Sequence, residues 1–414
     1  MAIRARFLGG AGEVGRLGML LEHEDAHILF DYGLSPDKPV PSYPAECPPV
    51  DLVCLTHAHL DHSGMLPWVA SRYETTVLTT RPSAEVANIL HNDSLKIATQ
   101  EGYPAPYDKN DIKHTQKVFD YVKHAEWREQ AGMEMHFHSA GHIPGSTMYE
   151  LRGRKRMLFT GDINTQNTRL LWGTHPVKAD ILFMESTYAG KGHPDRRASE
   201  KAFLDAVDDT IKRGGVAVVP AFAVGRSQEV ALVLKNSGYN VWLDGMSKDV
   251  SRIFLRNGEY IRNKKELEKT FENIKFVHSQ HGRKQAVKGD VILTTSGMLD
   301  GGPVLTYLSM LRNDPKSSVF LTGYQVEGSN GRRLLETGHI EDKGVSLKIE
   351  CQIEKFDFSA HAGHDELVKF AKASGAKDVV LFHGDKSELL RPDLEKFTNV
   401  HTPQNGDELD LSAD

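Results

Sequence analysis

Short apolar runs separated by glycine and polar turns open the chain and return at its end, whereas the middle alternates such runs with amphipathic stretches. Residues 3–8, 17–22 and 27–30 read as three strands. The run 50–55 reads as a buried strand, and 65–70 as the first turns of a helix. A strand is expected at 77–80, then a helix from Pro82 to about Gly102, with proline at its start and glycine at its end. Strands resume at 134–139, 156–159 and 179–184. From about residue 190 to 345, helices over 196–212 and 227–235 alternate with strands at 215–219, 240–243, 291–295 and 318–322. That alternation is the pattern of a parallel α/β unit. Strands of the first kind return at 345–353, 379–382 and 408–411, so the alternating unit reads as an insertion.

Chemistry collects where the strands end. The strand at 50–55 leads into Thr56-His57-Ala58-His59-Leu60-Asp61-His62. His57 and His59, two apart on extended backbone, point the same way and can grip one metal ion. Asp61 and His62 follow where the chain turns and can face a second. Later strand ends deliver His142, Asp162 and Glu185, and the returning segment adds His361 and His383. Together these residues can enclose two metal ions, with Asp162 bridging through its two oxygens. Imidazole and carboxylate donors suit zinc, with manganese or iron as alternatives. Asp31 taken alone reads as a turn-former, and His91 and Asp93 as surface positions of the helix that starts at Pro82. The glycine-rich stretch from Gly9 to Gly15 lacks a phosphate-loop lysine and no βαβ unit follows it, so it reads as a tight loop near a site. The basic run Arg152, Arg154, Lys155 and Arg156 reads as a solvated hairpin rather than an RNA track.

Composition narrows the class. At 414 residues, with 39% hydrophobic and 26% charged positions, two domains of a globular protein are expected. No apolar run approaches the roughly 20 residues that a membrane-spanning helix needs. Three cysteines without CxxC spacing suggest neither disulfides nor a thiolate zinc site, and a cytoplasmic location is expected. Fifty Lys and Arg against 56 Asp and Glu give a net charge of −6, so a nucleic acid would have to be drawn by a local groove and by metal ions.

The order His57-x-His59-x-Asp61-His62, His142, Asp162 resembles the metallo-β-lactamase superfamily, which implies an αββα sandwich of two β-sheets with helices outside. A sandwich interrupted by a parallel α/β insert, with Glu185 before it and His361 and His383 after it, resembles the β-CASP nucleases. Within that family the motifs, among them Gly161-Asp162-Ile163-Asn164, Glu185-Ser186-Thr187-Tyr188 and Phe358-Ser359-Ala360-His361, look most like archaeal homologues of the cleavage and polyadenylation specificity factor, of the type without KH domains. The implied domains are a discontinuous metallo-β-lactamase domain, 1–190 with 346–414, and a β-CASP domain, 191–345. The resemblance implies a zinc-dependent ribonuclease acting on single-stranded RNA, endonucleolytic with 5′→3′ trimming as a second mode, in mRNA 3′-end processing, transcription termination or RNA decay. It implies two zinc ions, or manganese in their place. One is held by His57, His59 and His142, the other by Asp61, His62 and His383, and Asp162 bridges them. His361 would donate the proton to the leaving oxygen with Glu185 behind it, and Asp31 would orient a ligand histidine from outside. Arg226, Ser296, Gly297, Tyr324 and Gln325 are the candidates for holding RNA. A homodimer is expected, with other RNA-processing or transcription factors as further partners and no membrane. The competing readings are an archaeal RNase J-type exoribonuclease, a non-catalytic RNA-binding subunit, and a small-molecule hydrolase on the same sandwich. The last leaves the insert, and Glu185 with His361, without purpose.

Overall fold

The computed structural model describes residues 3–37 and 40–412. The chain divides into two compact units. The first comprises residues 1–167, 173–192 and 361–414; the second comprises 168–172 and 193–360.

The first unit is built on two seven-stranded sheets. Strands Ile3–Gly9, Gly18–His23 and Ala26–Phe30 form an antiparallel meander in one sheet, and Leu52–Cys54, Thr76–Thr79 and Phe119–Tyr121 continue it in parallel. The other sheet runs through Asp378–Phe382, Ile181–Glu185, Arg156–Phe159, Thr147–Arg152 and Met133–Ser139. The first three of these are mutually parallel, and two antiparallel pairings bring Met133–Ser139 back to the same direction. The carboxyl ends of four strands in this sheet therefore lie on one edge. Apolar residues of both sheets share one core, in which Phe30, Phe159 and Phe382 form a stack with ring centroids 4.5 and 4.8 Å apart. Further apolar clusters cover the outer faces, one involving helix Leu66–Tyr73 and the other helix His364–Ser374. This is the expected αββα sandwich, with Arg152 and Arg156 in a hairpin where both pair with Glu150.

The second unit is a six-stranded sheet, all parallel, in the order Lys275–Phe276, Val241–Asp244, Val291–Thr294, Ala217–Pro220, Ser318–Leu321, Gln352–Lys355. The expected single strand over 345–353 is two. Val345–Lys348 turns back on His339–Asp342 as a hairpin, and Gln352–Lys355 joins the sheet beside Ser318–Leu321. Gly344, at positive φ, makes the hairpin turn. That added strand belongs to the second compact unit, which runs on to residue 360.

Phe159 touches the stack from both sides, so Phe159→Ala should cost about 3–5 kcal/mol. Hydrogen–deuterium exchange should rise in strands Arg156–Phe159 and Ile181–Glu185, and should stay unchanged in strand Ala217–Pro220 of the second unit.

Candidate metal centre

Strand Ala26–Phe30 leads into Asp31, whose backbone takes φ 55°, a conformation that residues with a β-carbon rarely adopt. The conformation holds because its carboxylate is fully used. It accepts the Thr56 N–H at 2.7 Å and the Thr56 hydroxyl at 2.8 Å, and lies 2.7 Å from His62 Nδ1. Since the Thr56 hydroxyl gives its one hydrogen to Asp31, it accepts from His57 Nδ1 at 3.0 Å. Both rings thereby carry a hydrogen on Nδ1 and turn Nε2 to the cluster. Thr56 was not among the expected site residues. Its signal is only its place, between a strand and the first histidine.

The turn that follows is equally constrained. Asp61 and His62 sit on a single helical turn, Leu60–Ser63, and their carbonyls accept the N–H groups of Leu17 and Tyr32, both at 2.8 Å. His91 is not at the surface. It is fully buried, and its Nε2 donates to the Ser63 carbonyl at 2.8 Å, because the inner face of helix Arg81–Glu101 packs beneath this turn.

The second sheet supplies the rest. His142 follows Met133–Ser139, Asp162 follows Arg156–Phe159, Glu185 ends Ile181–Glu185, and His383 follows Asp378–Phe382. Gly161, at φ 53°, lies where any β-carbon would run into the Thr56 side chain, so glycine lets the Asp162 loop close on the Thr56 loop. His383 also has positive φ, 51°, and its N–H donates 2.6 Å to the carbonyl of Gly10. The glycine-rich loop is thus a seat for His383.

The donor atoms converge in three groups, two of which share Asp162: His57, His59, His142 and Asp162; Asp61, His62 and His383; and Asp162, Glu185 and His361. His57 Nε2 and His142 Nε2 lie 3.0 and 3.2 Å from His59 Nδ1. Two nitrogens bound to one tetrahedral zinc ion at about 2.05 Å would lie about 3.3 Å apart, so this spacing fits a shared cation. His383 Nε2 is 3.5 Å from Asp61 and 3.7 Å from Asp162 Oδ1, while Asp162 Oδ2 is 3.4 Å from His62 and 3.6 Å from both His57 and His142. His62 Nε2 and Asp162 Oδ1 are buried without a hydrogen-bond partner. Such groups call for a ligand.

Electrostatics agree. Burial, aided by the neighbouring imidazoles, holds His57 well below its ordinary pKa. Burial also brings His59 down to about 4, against the pull of Asp61 and Asp162. On His62 burial is outweighed by Asp162, Asp31 and Asp61, which keep the ring protonated. A cation in the cluster would take that proton's place. Beside it, Glu185 is fully buried and lies 3.2 Å from His361 Nδ1. Glu185 and Asp162 overcome burial and raise His361 to about 9.

Residues 11–221 match the metallo-β-lactamase superfamily, 227–334 the β-CASP domain, and 346–403 the zinc-dependent metallo-hydrolase RNA specificity domain. The chain belongs to the metallo-β-lactamase superfamily, in its β-CASP branch. This β-CASP protein is similar to the probable RNase MJ4 of Methanocaldococcus jannaschii, 36% identical over 97% of this chain and 99% of that one. It is also similar to the RNase aCSPSF2 of Saccharolobus solfataricus, 36% identical over 98% and 85% respectively. The transcription termination factor FttA of M. jannaschii is 34% identical over 94% of this chain and 68% of its own length. A crystal structure of a protein of unknown function from Enterococcus faecalis shares the fold, with a TM-score of 0.64 at 15% identity over 99% of this chain and all of that one.

In the β-CASP unit, Arg226, Ser296 with Gly297, and Tyr324 with Gln325 follow three adjacent parallel strands, so they share one edge. Gln325 is buried and donates to the Gly297 carbonyl at 3.1 Å, whereas Tyr324 is 43% exposed.

His91 offers a test of how the turn beneath the cluster is held. Burial lowers its pKa from 6.5 to about 4. The unfolded chain therefore binds the extra proton first, and the stability His91 contributes is intact above pH 6.5 and lost as pH falls towards 4. His91→Gln keeps a donor for Ser63 without titrating. Its urea-denaturation stability should fall less steeply between pH 6.5 and 4, by up to about 3 kcal/mol.

Proposed function

We propose that the protein is a zinc-dependent ribonuclease that hydrolyses phosphodiester bonds of single-stranded RNA, cutting internally and trimming 5′→3′, in RNA processing, transcription termination or decay. The observation that carries this reading is the convergence of seven donor side chains with the Glu185–His361 pair on the Asp162 carboxylate. His57, His59 and His142 would hold one zinc ion and Asp61, His62 and His383 the other, with Asp162 between them. Bound there, the two ions supply an acidified water and stabilise the charge that develops on the phosphate oxygens, as manganese would also do.

The chain's own residues do the rest. Asp31 accepts the Nδ1–H of His62, which fixes the ring's orientation and strengthens it as a ligand. Glu185 holds His361 by Nδ1 and keeps it charged, which leaves the ring's other N–H to protonate the departing 3′-oxygen. The products are a 5′-phosphate and a 3′-hydroxyl. The names of the relatives, two RNases and a termination factor, support an RNA substrate. Exposed Tyr324 would stack on a base and Arg226 would meet a phosphate, while Gln325 ties its loop to the Gly297 carbonyl.

RNA labelled at both ends tests the reading. The wild type should give internal fragments with zinc or manganese and should carry two zinc ions per chain by mass spectrometry. His59→Ala and Asp162→Asn should be slower by about 100-fold or more. Equal cleavage by wild type and variants, or none by the wild type with either metal, would overturn it.

A further inference from the structure

His361 is held on more sides than its carboxylate partner accounts for. One ring face meets His142, with centroids 4.6 Å apart, and Tyr188 lies stacked against it at 5.8 Å and 25°. With Nδ1 on Glu185, the ring is fixed in plane and in rotation, and its side chain remains 19% exposed. Tyr188 is itself firmly mounted. In the turn from Glu185, the Ser186 hydroxyl donates to the Phe382 carbonyl at 2.7 Å and the Thr187 hydroxyl to the His383 carbonyl at 3.1 Å. The Tyr188 carbonyl accepts the Lys191 N–H at 2.9 Å. Thus the strand that supplies Glu185 also carries, three residues on, the aromatic face that backs the same imidazole.

We propose that Tyr188 is a positioning residue for His361, acting through its ring face rather than its hydroxyl. The inference rests on the ribonuclease reading. In the step concerned, water adds its oxygen to phosphorus and the P–O3′ bond breaks with its electron pair left on oxygen. That oxygen takes the proton of His361, and the proton shed by the water restores the imidazole. An imidazole free to swing would miss the leaving oxygen, and a misplacement of about 1 Å is enough to cost about 100-fold. Stacking at this separation is within the range where aromatic pairs attract, so the restraint costs the fold little.

The test is a leaving-group comparison with the zinc-loaded protein. RNA needs a protonated 3′-oxygen, whereas a bis(4-nitrophenyl) phosphate ester releases nitrophenolate without one. Tyr188→Ala should lower kcat on RNA by about 10- to 100-fold and leave hydrolysis of the aryl ester within about twofold, at unchanged zinc content. Tyr188→Phe should restore the RNA rate. Tyr188→Leu, which keeps bulk without an aromatic face, carries the same expectation as alanine and covers poor folding of that variant. Equal losses on both substrates, or no loss on RNA, would overturn the assignment. His361→Ala serves as the reference: loss on RNA alone upholds the proton-donor reading, so that a Tyr188 failure then falls on Tyr188. Equal loss on both substrates in His361→Ala would sink that reading and the inference with it.

Discussion

One buried carboxylate sets the terms for the rest of the first unit. Asp162 is 2% exposed and has ring nitrogens of His57, His62, His142, His361 and His383 within 3.9 Å. A carboxylate cannot stay charged in such a place without compensating positive charge, and five crowded imidazoles cannot all be protonated. A bound cation would resolve both demands at once, because neutral imidazoles could then turn their lone pairs inward beside the charged carboxylate. His57 and His62 already commit Nδ1 to Thr56 and Asp31, which leaves Nε2 of each to face the cluster. The fold prepares the rings for metal before any metal arrives.

That preparation depends on strand direction. Asp31 and His57 leave parallel neighbours in one sheet, and His142, Asp162, Glu185 and His383 leave strands running the same way in the other. Two sheets packed on a common aromatic core thus bring their carboxyl ends together. Two positions of the cluster and its support, Asp31 and His383, have left-handed backbone where the chain leaves a strand. The strain at each is over-determined by bonds that a relaxed backbone would lose: three to the Asp31 carboxylate, and the Gly10 and Thr187 contacts at His383.

The sequence pointed to the candidate donors because most of them stand at or just beyond the end of a strand, where a histidine or aspartate has few structural reasons to exist. It was silent wherever the deciding fact is a neighbour distant along the chain. His91 carries the polar signature of a helix surface, and only the Ser63 carbonyl above it explains why it is buried. Gln325 sits in a polar turn suited to phosphate, but its amide is spent on Gly297. Tyr188 and Thr56 are ordinary strand-end residues until the rings they touch are in place. Hairpin 339–348 hid within one long apolar-polar run, because a two-residue turn at Lys343 and Gly344 shows no more than a single glycine in the sequence.

The insert's position bears on how such a centre survives it. Strands Ile181–Glu185 and Asp378–Phe382 are adjacent and in register, Glu185 opposite Phe382, though the whole second unit but for 168–172 separates them in the chain. The chain entropy of closing so long a connection grows only with the logarithm of its length, about 0.6 kcal/mol for each doubling. Pairing along five residue positions, with the Ser186 and Thr187 hydroxyls bonded across to Phe382 and His383, easily outweighs such increments. The returning chain is also caught at once: the Ala362 N–H donates to Ile163 at 2.7 Å and the His364 N–H to Lys191 at 2.8 Å. His361 is therefore fixed by bonds one residue beyond it and by the rings around it, all within the first unit. The length and composition of the insert can therefore change while His361 keeps its place beside Asp162.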